Sequence, residues 1–402
     1  MYPKPIKVAS FKNIKQSWKD SRDATGKGGA PGIDGIRPTK YKENLETNIV
    51  KLREKLLDGN YVYKKLKPHF IQKTDGKDRV ICVPAVEDRL VQRIILRNLC
   101  ADGRDRLGVL SPVSYGVKKG KDQGVHAAIR AALKLRKQYN WVLKTDVSKF
   151  FDNIPREYLK NKVRARLGKS SVVPLIEAAI ECEVYAENTK DRERIKLSGI
   201  ENGLGLRQGM PLSPLLSNLV LNRFDNRSMS KDLNLVRYAD DIIVFCSNKK
   251  ECFDALVFIE SELEKLKLSV PSIDVGSSKT EIVAPDEPVI FLGVEIYRLN
   301  NGKYAKRIPD GTKLRARQKI KDHANLEWNI AEGYDYAKVV QRLKDIPDGY
   351  SAAFAECTNL ETFRQVLEED SSLVKQSLLE QIFGKDIFDS LSENQKEFMG
   401  FL

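Results

Sequence analysis

A chain of 402 residues with 41% hydrophobic and 31% charged residues can bury the cores of two or three lobes. Its formal net charge of +14 suits a partner with a phosphate backbone, no apolar stretch approaches a membrane span, and the opening MYPKPIKVASFKNIK lacks a signal peptide's apolar core. Six cysteines without a CxxC pair and three scattered histidines, His69, His126 and His323, exclude zinc fingers and HNH-type nucleases and point to reduced thiols in a cytoplasmic protein.

Residues 1–65 read as largely helical, interrupted by GKGGAPGIDG, which lacks the Gly-Lys-Ser/Thr ending of a nucleotide-binding P-loop. From Lys67 to Val83 the pattern fits a hairpin, its turn Thr74-Asp75-Gly76 flanked by Lys73 and Arg79 so that both cations can converge on a triphosphate. EDRLVQRIILRNL predicts a helix with Arg89, Arg93 and Arg97 on one face, which suits a nucleic-acid backbone or plain solvent equally. SYGVKKGKDQG has the composition of a phosphate-contacting loop, with Ser114, Tyr115, Lys118, Lys119 and Lys121 as candidate contacts.

Trp141 to Leu143 predict a buried strand that ends at Asp146, and Ser148, Asp152 and Pro155 signal a turn into a helix. ENTKDRERIKLSGIEN predicts a charged insert projecting into solvent. In GLRQGMPLSPLLSNLVLN, Gly209, Pro211 and Pro214 oppose a regular helix start, and a helix resumes over Leu215 to Leu221. LVRYADDIIVFC places Asp240 and Asp241 between two apolar runs, at the turn of a buried hairpin. Adjacent buried carboxylates repel unless a cation neutralises them, and with Asp146 they form an oxygen-donor set suited to two Mg²⁺ ions, or Mn²⁺ as a substitute. Two such ions clamp the attacking and leaving oxygens of an in-line phosphoryl displacement.

After Phe291 to Ile296, KYAKRIPDGTKLRARQKIKDH opens a cation-rich region. The tail reverses sign: residues 356–402 hold ten acidic and four basic residues, a net of −6, which leaves +20 on the remainder. Helical spacing in LETFRQVLEE and SLVKQSLLEQIF predicts packing on the preceding helices or on another chain.

These blocks, in unbroken order over roughly residues 25–300, resemble the bacterial reverse transcriptases, the branch that holds group II intron, retron and defence-associated enzymes. The resemblance implies an α+β right-hand polymerase. Its parts would be an N-terminal helical extension over 1–65 with a template-contacting GAPGIDG, fingers over 66–140, a ferredoxin-like palm over 141–300 carrying YADD, and a helical thumb with acidic tail over 301–402. It implies Asp146, Asp240 and Asp241 as catalytic metal ligands with Val147 beside them in the metal and substrate set. Lys73, Arg79 and Gln208 would contact the incoming nucleotide, and Lys279 the leaving pyrophosphate. Phe151, five residues after Asp146, would exclude a ribose 2′-OH and select deoxynucleotides. Arg89, Arg93, Lys118, Lys119, Lys121, Lys313, Arg315 and Arg317 would hold nucleic-acid backbone without reading sequence.

The implied activity is two-metal synthesis of DNA from dNTPs on an RNA template. A short chain without an RNase H or endonuclease signature favours a defence-associated enzyme copying a dedicated structured non-coding RNA, with a homo-oligomer left open. SPVSYGV departs from the retron pattern. The competing readings are an RNA-binding, maturase-like module and a template-independent or protein-primed DNA polymerase.

Overall fold

The computed structural model describes residues 8–25, 29–72, 76, 78–100, 105–116, 123–273 and 278–398. Its contacts divide the chain into two units, 1–128 with 143–282 and 129–142 with 283–402.

The first unit opens with α1 (Phe11–Lys19), α2 (Pro38–Glu43) and α3 (Leu45–Asp58). Ser10 caps α1 by accepting the Asn13 N–H at 3.3 Å, and a 3-10 turn over Arg22–Thr25 follows that helix. Strands β1 (Lys67–Gln72) and β2 (Asp78–Val83) pair antiparallel from Lys67↔Val83 to Gln72↔Asp78, the hairpin expected here. The next helix, α4 (Val86–Cys100), corrects an expectation. Arg89 is buried, and its guanidinium donates to Asp23 at 3.1 and 3.2 Å; Arg93 reaches the same carboxylate at 2.5 Å and Arg97 reaches Asp20 at 2.7 Å. The arginine face fastens α4 to the N-terminal helices, so Arg89 and Arg93 are not offered to nucleic acid.

After α5 (Val125–Arg136) come β3 (Trp141–Asp146), α6 (Phe150–Asn153), α7 (Arg156–Leu167), α8 (Val173–Ile180), α9 (Thr189–Ser198) and α10 (Ser213–Ser230). Strands β4 (Leu235–Tyr238) and β5 (Asp241–Cys246), helix α11 (Lys249–Glu264) and strand β6 (Glu281–Val283) then complete a four-stranded sheet of order β4-β5-β3-β6. A helix precedes β4 and another follows β5, so the chain runs β-α-β-β-α-β with its first and third strands central, the ferredoxin-like order. Burial explains the apolar run: Ile242 to Cys246 on the inner strand β5 are all buried. Leu216, Val220 and Phe224 of α10 and Ile259 and Leu263 of α11 are buried too, each contributing roughly 1.5–3 kcal/mol.

Helix α9 is the charged insert, and no residue of it is buried. It is nonetheless docked, contrary to the expected free projection. Arg194 donates to Asp78 at 2.7 and 3.0 Å and lies 3.9 Å from the Phe70 ring centroid, which ties the insert to the β1–β2 hairpin.

In the second unit β7 (Val289–Phe291), β8 (Val294–Arg298) and β9 (Tyr304–Arg307) form an antiparallel sheet. The sequence reading had no strand at KYAKR, yet Tyr304 and Lys306 alternate inward, and Lys306 pairs with Glu356. Arg136 is fully buried in this unit, donates to the Ala284, Pro285 and Glu287 carbonyls at 2.8, 3.3 and 3.2 Å, and stacks 4.7 Å from the Tyr304 ring centroid.

The helices α12 (Asp310–Lys321), α13 (Leu326–Ala331), α14 (Tyr336–Ala353), α15 (Leu360–Phe383), α16 (Ile387–Ser390) and α17 (Glu393–Phe398) follow. The acidic tail packs on its predecessors, as its periodicity predicted: α15 lies against α12 and α14. Arg317 donates to Asp370 of α15 at 2.7 and 3.1 Å, so the guanidinium expected on a nucleic-acid backbone, still partly exposed, has an intrachain partner. Among the described residues no helix is long and apolar enough to cross a membrane.

Candidate active site

The register of β4 and β5 pairs Tyr238 with Asp241 and leaves Ala239 and Asp240 as a two-residue turn. Ala239 sits at φ 54°, a left-handed conformation that costs a residue with a Cβ roughly 1–2 kcal/mol. A buried guanidinium holds it there. Arg237, with no exposed surface, donates to the Ala239 carbonyl at 2.8 Å, to Asn218 Oδ1 at 2.9 Å, and to both Asp225 oxygens at 2.7 and 2.6 Å. Its backbone pairs with the segment before the lysine-rich loop, accepting from Tyr115 N–H at 2.9 Å and donating to the Val113 carbonyl at 2.7 Å. Ser114 is therefore no template contact: it is buried, and its hydroxyl donates to Asn218 Oδ1 at 3.2 Å.

Asp146 meets this turn from the end of β3. The Val147 N–H donates to the Asp240 carbonyl at 3.1 Å, Thr145 and Thr280 share a hydroxyl hydrogen bond of 2.7 Å, and the Lys279 ammonium pairs with Asp146 Oδ2. Burial, then the neighbouring Asp240 and Asp146 charges, push the Asp241 carboxyl up to about 6, and Asp240 is raised by burial and Asp146. Burial pulls the Lys279 ammonium down, but the three carboxylates outweigh it and hold its pKa above the ordinary value.

The donor set fits a hard divalent cation. The other Asp146 oxygen, Oδ1, is buried without a hydrogen-bond partner, and the raised Asp240 and Asp241 carboxyls would be favoured as carboxylates by a further positive charge beside them. Among the described residues no three acidic, His or Cys side chains close a cage of their own. A Mg²⁺ ion held here would complete its shell with water and substrate oxygens, its usual habit.

In front of the carboxylates lies a cavity of about 460 Å³, lined by Asp146, Val147, Asp240, Lys279, Arg79, Phe151 and Gln208 among others. Asp241 does not line it. The two phenylalanines divide their roles: Phe150 is buried in the core, whereas half-buried Phe151 faces the cavity, their ring centroids 5.5 Å apart.

Gln208 is placed by backbone contacts that require glycine. The Cys82 N–H of β2 donates to the Gln208 carbonyl at 2.7 Å, and Gly209 at φ 106° passes so close that a Cβ there would lie 2.6 Å from the Cys82 oxygen. Gly205, at φ 78°, crosses the end of α6, where a Cβ would lie 2.5 Å from the Asp152 oxygen. Between them Arg207, with Arg156, grips Glu183: Arg207 donates at 3.2 and 2.5 Å and Arg156 at 2.7 Å. Burial raises the Glu183 carboxyl, but the Arg156, Gly203 and Arg207 hydrogen bonds bring it below the usual value.

The structure thus gathers Asp146, Val147, Asp240, Asp241, Lys279, Arg79, Phe151 and Gln208 in one unit. Lys73, Lys118, Lys119 and Lys121 lie outside the described residues. In the second unit Lys313 pairs with Asp310 at 2.9 Å, and exposed Arg315 donates to the Thr312 hydroxyl at 3.0 Å. Lys313 and Arg317 also line a recess of about 360 Å³ with Phe363 and Val366. The supporting residues Arg237, Asp225, Asn218, Arg207 and Glu183 were missed by sequence reasoning. The one available signal was a charged Arg237 inside the apolar LVRYADDIIVFC.

A family model described as reverse transcriptase (RNA-dependent DNA polymerase) matches residues 71–296, more than half of the chain. The chain belongs to the reverse transcriptase family. As such it is an RNA-directed DNA polymerase. This reverse transcriptase is 27% identical to protein YkfC of Escherichia coli K12 over 313 residues, 67% of this chain and 76% of that one. It is 24% identical over 226 residues to the group II intron-encoded protein LtrA of Lactococcus lactis, covering 55% of this chain but only 35% of that protein. Among solved structures, a partial Cas6-RT-Cas1–Cas2 complex superposes on 65% of this chain and 41% of its own with a TM-score of 0.36 at 23% identity, too loose a fit to argue from.

Proposed function

We propose that this enzyme extends a 3′-OH with dNTPs on a dedicated structured RNA, that Asp146, Asp240 and Asp241 hold two Mg²⁺ ions, and that the DNA made serves antiviral defence. The observation that carries the chemistry is the cavity lined by Asp146, Asp240, Arg79, Gln208, Phe151 and Lys279, with one Asp146 oxygen buried and unpartnered and the Asp241 carboxyl close enough to feel the charges of both other aspartates. When bound, such ions supply Lewis-acid activation of the attacking hydroxyl and neutralise charge on the leaving phosphate.

The chain's own residues account for the rest. Arg79, exposed on β2, offers a bidentate guanidinium to the triphosphate. Gln208, its backbone fixed by Cys82, presents an amide that both donates and accepts toward the nucleotide and its template partner. The Phe151 ring limits the space at the sugar, and Lys279 offsets or protonates the leaving pyrophosphate. Residues 66–140 act as fingers, 141–300 as palm and 301–402 as thumb with the acidic tail. The dedicated RNA and the defence role rest on the family resemblance, with the strongly basic charge of the chain supporting a phosphate-backbone partner.

The test is primer extension with dNTPs on an RNA template, alongside sequencing of RNA and DNA that co-purify from the host, for wild type and Asp240→Ala/Asp241→Ala. One RNA enriched with both proteins and complementary DNA only with wild type supports the reading. Undiminished incorporation by the double variant refutes the assigned chemistry, and equal RNA without aspartate-dependent DNA leaves a maturase-like binding module. Phage plating on hosts carrying each form tests the defence role, which requires protection by wild type alone.

A further inference from the structure

Away from the carboxylates, α7 and α10 enclose a recess of about 240 Å³ whose walls carry Lys162, Arg166, Arg223 and Arg227, with Asn222 and Asn226 between them. None of these residues lines the catalytic cavity. The recess has too little acid for its base. Arg227 lies 3.8 Å from Glu262, but that carboxylate is already taken by Lys265 at 2.6 Å. Arg166 donates to the neutral Asn222 Oδ1 at 3.4 Å, and Lys162 lies 5.3 Å from the Tyr158 ring centroid. Among the described residues Arg223 makes no hydrogen bond and no ion-pair contact, although Glu262 feels its charge.

Cations near a helix C-terminus are favoured by the macrodipole, which accounts for Arg166 in the last turn of α7 and Arg227 in the last turn of α10. It does not account for Lys162 and Arg223, which lie at least a turn further in and converge on the same space. Four like charges facing one concavity repel unless an anion joins them.

We infer that this recess binds phosphates of the RNA template's backbone outside the polymerase cleft. It rests on the reading that RNA is the template. Ser213, where α10 begins, follows the Gln208 loop, and Arg223 and Arg227 lie 10 and 14 residues further on. At 1.5 Å per residue they stand roughly 15–21 Å along the helix from the substrate loop. A structured RNA template carries a backbone far longer than the few base pairs a cleft can hold, so a phosphate-binding recess this far from the substrate loop suits that strand, and a DNA probe tests the product strand in its place. Guanidinium groups suit its phosphates, and contacts of this kind hold a strand without reading its sequence.

The experiment compares full-length wild type with Arg223→Glu/Arg227→Glu and with Arg223→Lys/Arg227→Lys. The probes are a fluorescent RNA hairpin with a single-stranded tail, its DNA counterpart, and inorganic phosphate as competitor. The expected result is RNA binding weakened about tenfold or more by the Glu pair, with a salt dependence shallower by about two phosphate contacts. The Lys pair retains most of the binding, and the maximal rate of oligo(dT) extension on saturating poly(rA) stays at the wild-type level. That retained rate also reports that the variant is folded. RNA affinity and salt slope equal to wild type overturn the inference. So does a loss confined to the DNA probe, or a change only in phosphate competition, which would mark an isolated anion site. Because the binding readout needs no incorporation, an inactive wild type that still loses RNA in the Glu pair would overturn the polymerase chemistry and leave the recess assigned.

Discussion

Replacing Arg237 by Met keeps the length of the side chain but removes the guanidinium and all its donors from the core beneath the Ala239-Asp240 turn. Four hydrogen bonds disappear, of 2.6–2.9 Å, and the fully buried Asp225 carboxylate loses its counter-ion. Breaking a buried pair from one side costs about 3–5 kcal/mol, so the denaturation midpoint of Arg237→Met should fall clearly. Catalysis should suffer separately. Without the guanidinium on its carbonyl, Ala239 is free to leave φ 54°, and Asp240 moves with it; a displacement of about 1 Å costs on the order of 100-fold in rate. The two effects part in Arg237→Met/Asp225→Leu. An apolar pair in place of a buried ion pair is often neutral or stabilising, so the midpoint should recover while kcat for dNTP incorporation, measured well below the transition, stays about 100-fold down. Arg237 is then a positioning residue. Recovery of both stability and kcat in the double variant, or a wild-type midpoint in the single one, would refute the clamp.

Gly209→Ala puts a methyl 2.6 Å from the Cys82 carbonyl at a φ of 106°, so it should cost at least 1–3 kcal/mol by the strain alone and misplace Gln208; chemical denaturation with dNTP KM checks both. Asp88, buried and accepting from the Tyr61 hydroxyl at 2.5 Å, has its carboxyl pushed up to about 6, chiefly by burial. The folded state therefore binds this proton more tightly than the unfolded one, so the group's contribution is greatest below about pH 4 and is lost as pH rises toward 6. Relative to wild type, Asp88→Asn should gain about 2 kcal/mol between pH 4 and pH 7, and parallel stability profiles would contradict this. Phe151→Ala should raise rNTP incorporation relative to dNTP by tenfold or more, read from competitive single-nucleotide extension; unchanged selectivity would remove the ring from sugar discrimination.

The elements that form the site were legible because their signals are local. The apolar run of β5 marked a buried strand, YADD its turn, and GLRQGMPLSP a break with a helix expected from Leu215; α10 begins two residues earlier because Pro214 suits a first helical turn. What escaped depends on partners far away in sequence. Arg89 and Arg93 looked like a free basic face because their counter-charge, Asp23, stands 66 and 70 residues earlier. Arg317 met the same fate through Asp370, 53 residues later. The strand at KYAKR hid behind its charges, since the inward Lys306 becomes tolerable only when Glu356 arrives from beyond α14. Arg237 was visible as a misfit in an apolar run, but nothing in the run names Asp225, a residue on the preceding helix, as its partner.

The hydrogen bond from Cys82 to Gln208 also bears on how the enzyme assembles. A two-stranded hairpin is marginal by itself in water, and β1–β2 finds its third edge in a loop, with Met210 from that loop buried in the same cluster as Leu66, Val80 and Cys82. The β1–β2 hairpin and the Gln208 loop should therefore gain order together, since each supplies backbone and core contacts that complete the other.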